Sequence, residues 1–425
     1  MSDLGRVLRL DARRTALLVA VPVLTVLGTT AACLSLSPAV AYWDNTVVAL
    51  VNAVRFLGPA AAGLAAWTAV RERPLDYLRD LTARSPATGV LFDLLLLSSA
   101  ALASYVVVTV VVATVTLAHA HAGQPHPLGV VSGAGALVLH VVVGYLTGRV
   151  APHRATAALV LAVTALWAGL RVPGVSWWSL LPPAALPRIP LFATLRPDVF
   201  AVQVIWAAGL TTALTLGYVM WATRRYLVVL PLAVALAATV TATLALHRSS
   251  GGTVAPAQTE HVCRRWPLTV CVHPALRQAL PQLMEAATPL AARLNGTPGA
   301  FTRIEQRPAW TPVTVADGIA GVHLDEDLSP GYAARAVRQI SEALKDAEAC
   351  APGDGYRALV DAWLLGDEPP AAAGTRAGRR FSSWGEQRRR DWLRLHFTEY
   401  RACALGPREF HVPRAIESRS HESRA

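Results

Sequence analysis

Lysine is nearly missing from this chain. Among 425 residues only Lys345, in EALKDAE, is a lysine. A phosphate-binding Walker A loop needs Lys between Gly and Ser/Thr, so the chain carries no P-loop ATPase of its own. Neither HExxH nor G-x-S-x-G occurs, and no two cysteines stand at CxxC spacing. Standard zinc-protease, hydrolase-elbow and zinc-finger chemistry are thereby excluded, and no enzyme activity, cofactor or metal is expected. Charge is scarce too: 16% of residues are charged and 53% hydrophobic, where soluble domains carry about a quarter charged. The basic residues are arginines, a usage expected of a GC-rich genome such as an actinobacterial one.

What charge there is falls unevenly. Residues 1–250 hold 17 basic and 8 acidic residues, and residues 251–425 hold 22 and 20. The first part is therefore apolar and basic, the second charged and balanced. A spanning helix needs about 20 mostly apolar residues. Seven stretches qualify as expected spans: 15–37, 46–70, 88–118, 128–149, 155–171, 200–222 and 226–247. The fold class is a polytopic α-helical membrane protein with about seven spans, followed by a small α+β domain. Its parts are a transmembrane domain at 1–247, a linker at 248–260, the α+β domain at 261–412 and a disordered tail at 413–425.

Orientation follows from the arginines, because cytoplasmic loops near spans are enriched in Lys and Arg. With the N-terminus inside, the inner segments hold Arg6, Arg9, Arg13, Arg14, Arg71, Arg73, Arg79, Arg84, Arg149, Arg154, Arg224 and Arg225. The outer ones before residue 247 hold only Arg171, Arg188 and Arg196. The net charge of +11 is thus loop charge beside lipid, and nucleic acid is not an expected partner. Seven spans put the C-terminal domain outside the cytoplasm of the cell membrane. Cysteine usage agrees, since Cys263, Cys271, Cys350 and Cys403 all lie there and disulfides form outside the cytosol. Of three connectivities, the favoured one is Cys263–Cys271, closing CRRWPLTVC as a hairpin, with Cys350–Cys403.

Within the spans, Gly129, Gly133, Gly144 and Gly148 form two small-xxx-small pairs, which permit close helix approach. They suit packing within one subunit better than a dimer face. Gly58-Pro59 is expected to kink the second span. Arg55 is an intramembrane charge and must face the bundle interior, water or a partner. Asp93, near the inner end of its span, is expected to reach interfacial water. The apolar, proline-broken segment 172–198, with Trp177-Trp178, reads as short helices dipping into the outer leaflet or a loop packed on the outer domain. His119, His121 and His126 share an outer loop without a nearby acid in sequence, and read as surface polarity rather than a metal site.

The order of a basic N-terminal stretch LGRVLRLDARR, two spans, then RERPLDYLRDLTARSP, resembles the membrane subunits of ABC-2-type transporters over about residues 1–222. The resemblance implies that Glu72, Leu75, Leu78, Leu81, Ser85 and Pro86 belong to a coupling helix that receives work from a cytoplasmic ABC ATPase. It also implies that 172–198 corresponds to the family's re-entrant elements. The expected function is a permease subunit exporting an unidentified substrate. Its expected partners are the lipid bilayer, that ATPase, and a second permease subunit or second copy. The seventh span and the C-terminal domain depart from the family's six-span plan. The alternative is a membrane-anchored extracytoplasmic binding or sensing protein.

In the C-terminal domain PLTVCVH, FTRIEQ, WTPVTV and GIAGVHL read as strands. Helices are expected at 274–294, 330–349, 355–366 and 384–402. Leu276, Leu280, Leu283, Ala287 and Leu290 mark the buried face of the first. Ser383 with Glu386 has capping-box spacing for the last, which should bury Trp392, Leu395 and Tyr400. His323 with Asp325 and Glu326, and His396 with Glu399, are polar clusters without a third catalytic partner.

Overall fold

The structure, a computed structural model, describes residues 17–36, 42–73, 86–118, 122–224, 226–257, 259–346 and 355–411. The chain divides into two compact units, at Gln258/Thr259.

The first unit is a helical bundle: α1 (Leu17–Leu36), α2 (Trp43–Glu72), α3 (Pro86–Ala118), α4 (Pro127–Val150), α5 (Thr156–Gly169), strand β1 (Ala193–Leu195), α6 (Pro197–Thr223), α7 (Val229–Arg248) and strand β2 (Val254–Pro256). Among the described residues five helices are long and apolar enough to cross a membrane, namely α2, α3, α4, α6 and α7. Of the two other expected spans, the one at 155–171 is a shorter apolar helix here, the 14-residue Thr156–Gly169. The lipid-facing character is plain on α7, where Leu230, Val234, Val240 and Leu244 are each more than half exposed. An apolar helix with bare faces is stable against hydrocarbon rather than water.

Helix α2 is the hub, packing on α1, α3, α4 and α5. Its closest seam is with α4, and the glycines explain why. An added Cβ on Gly144 would lie 2.7 Å from Ala62 Cα, and one on Gly148 2.9 Å from Ala69 Cβ. On Gly129 and Gly133 it would strike Val47 and the Tyr105 hydroxyl. All four glycines therefore face neighbours within this chain. Pro59 sits inside α2, which runs unbroken past it. Asp93 does not reach water: it is buried and accepts a 2.5 Å hydrogen bond from Tyr145 on α4. Pairing was cheaper than reaching the interface, because a phenol stood within reach on the next helix.

The second unit comprises β3 (Val262–Arg264), β4 (Thr269–Val272), α8 (Leu280–Leu294), β5 (Arg303–Gln306), β6 (Val315–Ala316), β7 (Ile319–Val322), α9 (Tyr332–Ala343), α10 (Gly355–Leu365), α11 (Arg376–Ser383), α12 (Glu386–Leu395) and α13 (Phe397–Arg401). The sheet order is β3-β4-β5-β7-β6, with parallel β4–β5 and β5–β7 pairs and antiparallel pairs at both edges. Cys263 and Cys271 stand directly opposite each other in β3–β4 and are disulfide-bonded. The other expected pair rests on Cys350, which lies outside the described residues, as does the tail from 412. The apolar face of α8 is buried as its spacing predicts.

The last expected helix, 384–402, is instead two short ones, α12 and α13. Ser383 ends α11, and Gly385 is the N-cap of α12. Glu386 makes no capping box: its carboxylate accepts from Trp363 Nε1 at 3.0 Å and Arg293 Nε at 3.3 Å. Trp392 and Tyr400 are buried as expected, but Leu395 is 61% exposed and Leu393 takes the inward position. The register shifts because the chain bends at His396, whose φ/ψ leave the helical region. Trp392, Phe381, Trp384 and Phe410 form an aromatic core around that bend.

Two outcomes follow. Gly144→Leu should split the α2–α4 seam and abolish monodisperse protein on size-exclusion chromatography. Gly217→Ala, at a position with nothing within 4 Å, should be neutral or slightly stabilising. His273 is fully buried, and burial, reinforced by nearby His261, pushes its pKa down to about 4. Its Nδ1 accepts from Ala275 N at 3.2 Å, which requires the unprotonated ring. The unfolded chain takes up that proton near pH 6.5. The stabilisation is thus complete above about pH 6.5 and lost as pH falls toward 4. Thermal melts between pH 7 and 5 should show this slope, and His273→Asn, which keeps a capping acceptor, should flatten it.

Candidate functional site: a broken segment clasped by helix α2

Segment 170–196 joins α5 to α6 without a continuous helix; only Trp177–Leu180 forms a 3₁₀ turn. Prolines at 173, 182, 183, 187 and 190 prevent one. Yet Leu180, Ala184, Ala185, Leu186, Ile189, Leu191 and Phe192 are all buried. Irregular backbone buried away from water must find partners for its N–H and C=O groups. Proline lacks the N–H and so halves that demand where it occurs.

Helix α2 supplies several of these partners from one face. Asn45 grips both backbone groups of Ile189: its Oδ1 accepts from the N–H at 2.9 Å and its Nδ2 donates to the carbonyl at 3.3 Å. Asn52 does the same to Leu186, at 3.5 and 3.3 Å. Each side-chain amide thus stands in for a neighbouring strand. The spacing fits: seven helical residues rise about 10.5 Å, and three extended residues span about 10 Å. The segment therefore runs antiparallel to α2.

Polar groups close both ends. Buried Asp44 accepts from Leu195 N at 2.7 Å and Thr194 Oγ1 at 3.0 Å, and Tyr42 donates to Ala193 O at 2.6 Å. The β1–β2 pairing holds the same end, with Ala193 opposite Pro256. At the other end Arg55 Nη2 donates to Ala168 O at 2.5 Å and Arg171 O at 3.0 Å, covering the carbonyl end of α5. Arg171 is itself buried and donates to Trp167 O and Leu181 O. Arg55 lies twelve residues after Trp43, about 18 Å along the helix. On the far side Gln203 of α6 donates to Leu180 O at 2.9 Å and accepts from Ser132 of α4 at 2.8 Å.

Sequence reasoning found Arg55 but missed Asp44, Asn45 and Asn52. The available signal was their recurrence, with Arg55, on one stripe of an otherwise apolar helix. His126 is not mere surface polarity: its Nε2 lies 3.3 Å from Asp44 Oδ1. The acid comes from a distant helix, which spacing around the histidines could not show. His119 and His121 lie outside the described residues, as do Leu75, Leu78, Leu81 and Ser85. Of the coupling-helix residues, Glu72 ends α2 and Pro86 begins α3. Among the described residues no group of His, Cys, Asp and Glu is arranged to hold a metal ion.

The C-terminal unit has its own concavity, a cleft of about 890 Å³ between β6 and α9. His323 lies in it, with Nε2 2.8 Å from Thr311 O and its backbone N–H donating to Gln339. Asp325 pairs instead with Arg335 at 3.3 Å. The His396 ring lies tilted against Trp392, with centroids 5.1 Å apart. Among the described residues neither histidine is joined to a nucleophile.

Comparison with protein-family models, curated proteins and solved structures finds no match to this chain.

Replacing both Asn45 and Asn52 by Leu should cost about 1–3 kcal/mol at each site, because buried backbone groups lose their partners. Limited trypsin digestion reads this at exposed Arg188: slow cleavage in the parent protein, rapid cleavage in the double variant.

Proposed function

We propose that the chain is the membrane subunit of an ABC-2-like exporter, driven by a separate cytoplasmic ATPase and anchored by seven spans with its C-terminal domain outside. The observation that carries this reading is the clasped segment before α6. An inert anchor has no need of a proline-broken strap held about 18 Å down a spanning helix by dedicated side chains. Non-helical backbone at membrane depth is tolerated where it is enclosed by protein or lines a path, and re-entrant elements at this position belong to the plan of that family. The single lysine, remote from any Gly-rich loop, means that a motor must be supplied in trans. Glu72 and Pro86 bracket the segment through which that motor would act.

A second reading, an anchored binding protein, is favoured by one observation, the basic cleft of the C-terminal unit. The two separate on one experiment. Purified from its native membranes and reconstituted, the protein should carry an ABC ATPase whose ATP hydrolysis depends on it. Leu75→Asp with Leu78→Asp should release the ATPase while insertion and folding persist. A chain that purifies alone from native membranes, or whose ATPase association survives both changes, contradicts the exporter reading.

A further inference from the structure

We propose that the cleft between β6 and α9 takes an extended acidic peptide, added as a further strand beside β6. This site is separate from the clasped segment and does not depend on the exporter reading.

The backbone geometry comes first. β6 is the edge strand of the sheet, and among the described residues no strand lies beyond it. The β6–β7 turn is the two-residue Asp317-Gly318, with φ of 53° and 73°, the left-handed pair of a tight hairpin. Ala316 opposes Ile319 and Val315 opposes Ala320, while Gly321 N donates to Thr314 O at 2.9 Å. Antiparallel pairs alternate between bonded and non-bonded. Val315 is therefore the non-bonded position, and its N–H and C=O point away from β7, to the open side. That is the backbone pair a peptide strand needs for strand addition.

Charge then selects the occupant. Across from Val315 the cleft is lined by Arg335, Arg338 and Lys345, with Arg401 beside them, against Glu342 as the one acid in the lining. Arg338 is 63% exposed and pairs with Asp367 at 3.4 Å, outside the cleft lining. Arg335 is partly held by Asp325, and Lys345 by Glu342 and, at 3.9 Å, by Asp361. Alternate side chains of an extended peptide repeat every 6.6–6.8 Å or so. Arg335 and Arg338, three residues apart on α9, lie about 4.5 Å apart along the helical rise, and their long side chains can reach carboxylates on alternate positions. The same cations oppose pairing with a second copy, whose β6 would bring an identical set of positive charges.

The test uses the full chain in nanodiscs of zwitterionic lipid and a fluorescein-labelled short peptide alternating Glu with Val and Thr, read by anisotropy. Binding is expected, weakening as salt rises, with a Lys-for-Glu peptide inert. Arg338→Glu should weaken it about tenfold or more, equivalent to about 1.4 kcal/mol. Val315→Pro, which removes the outward N–H without touching a β7 bond, should abolish it, while Val315→Ala retains it. Near-UV circular dichroism confirms that each variant is folded. Absence of binding overturns the proposal. So does unchanged affinity in folded Val315→Pro, or displacement by polyphosphate or anionic vesicles in Val315→Pro and parent alike. Those outcomes mean a general anion surface rather than strand addition.

Discussion

Two side-chain amides on one helix decide the architecture of the membrane unit. Without Asn45 and Asn52, the backbone N–H and C=O groups of Leu186 and Ile189 would be buried without these partners, each lost partner costing about 1–3 kcal/mol. With them, an apolar strap that cannot be helical lies against α2 as if against a strand. Everything around it serves that contact. Asp44 and Tyr42 anchor the downstream end, Arg55 and Arg171 the upstream end, and Gln203 the outer flank. The α2–α4 seam is closed by glycine so that α2 is held rigidly enough to present its polar stripe.

This makes sense of charge in a helix where charge is expensive. Arg55 is not a solvated accident and not a snorkelling side chain. It covers carbonyls at the end of α5, which, at 14 residues, is too short to carry them into water by itself. Asp44 likewise finds partners at a buried site in the backbone N–H of Leu195, the Thr194 hydroxyl and the nearby His126 ring. The polar residues of α2 thus share a single task, which supports their common placement on one stripe.

The elements legible in the sequence were those governed by local rules. Helices of the bundle follow from apolar length, the β3–β4 hairpin and its Cys263–Cys271 bond from an eight-residue spacing, and the buried face of α8 from its leucine period. Partnerships across long separations were not legible. Asn45 and Ile189 are 144 residues apart, and nothing local in either marks the other. Asp93 reads as interfacial until Tyr145 is brought beside it. Leu395 reads as core until the bend at His396 turns it outward. The cleft beside β6 was equally hidden, because its cations come from α9, the residues after it and α13.

Hydrogen–deuterium exchange on the intact protein in nanodiscs addresses the clasp without altering it. The Leu186 and Ile189 amides should exchange as slowly as those in the middle of α2, because they are bonded and enclosed. Exchange of both within seconds, at the rate of an open surface loop, would mean that the strap is not held and that α2 is only a membrane anchor.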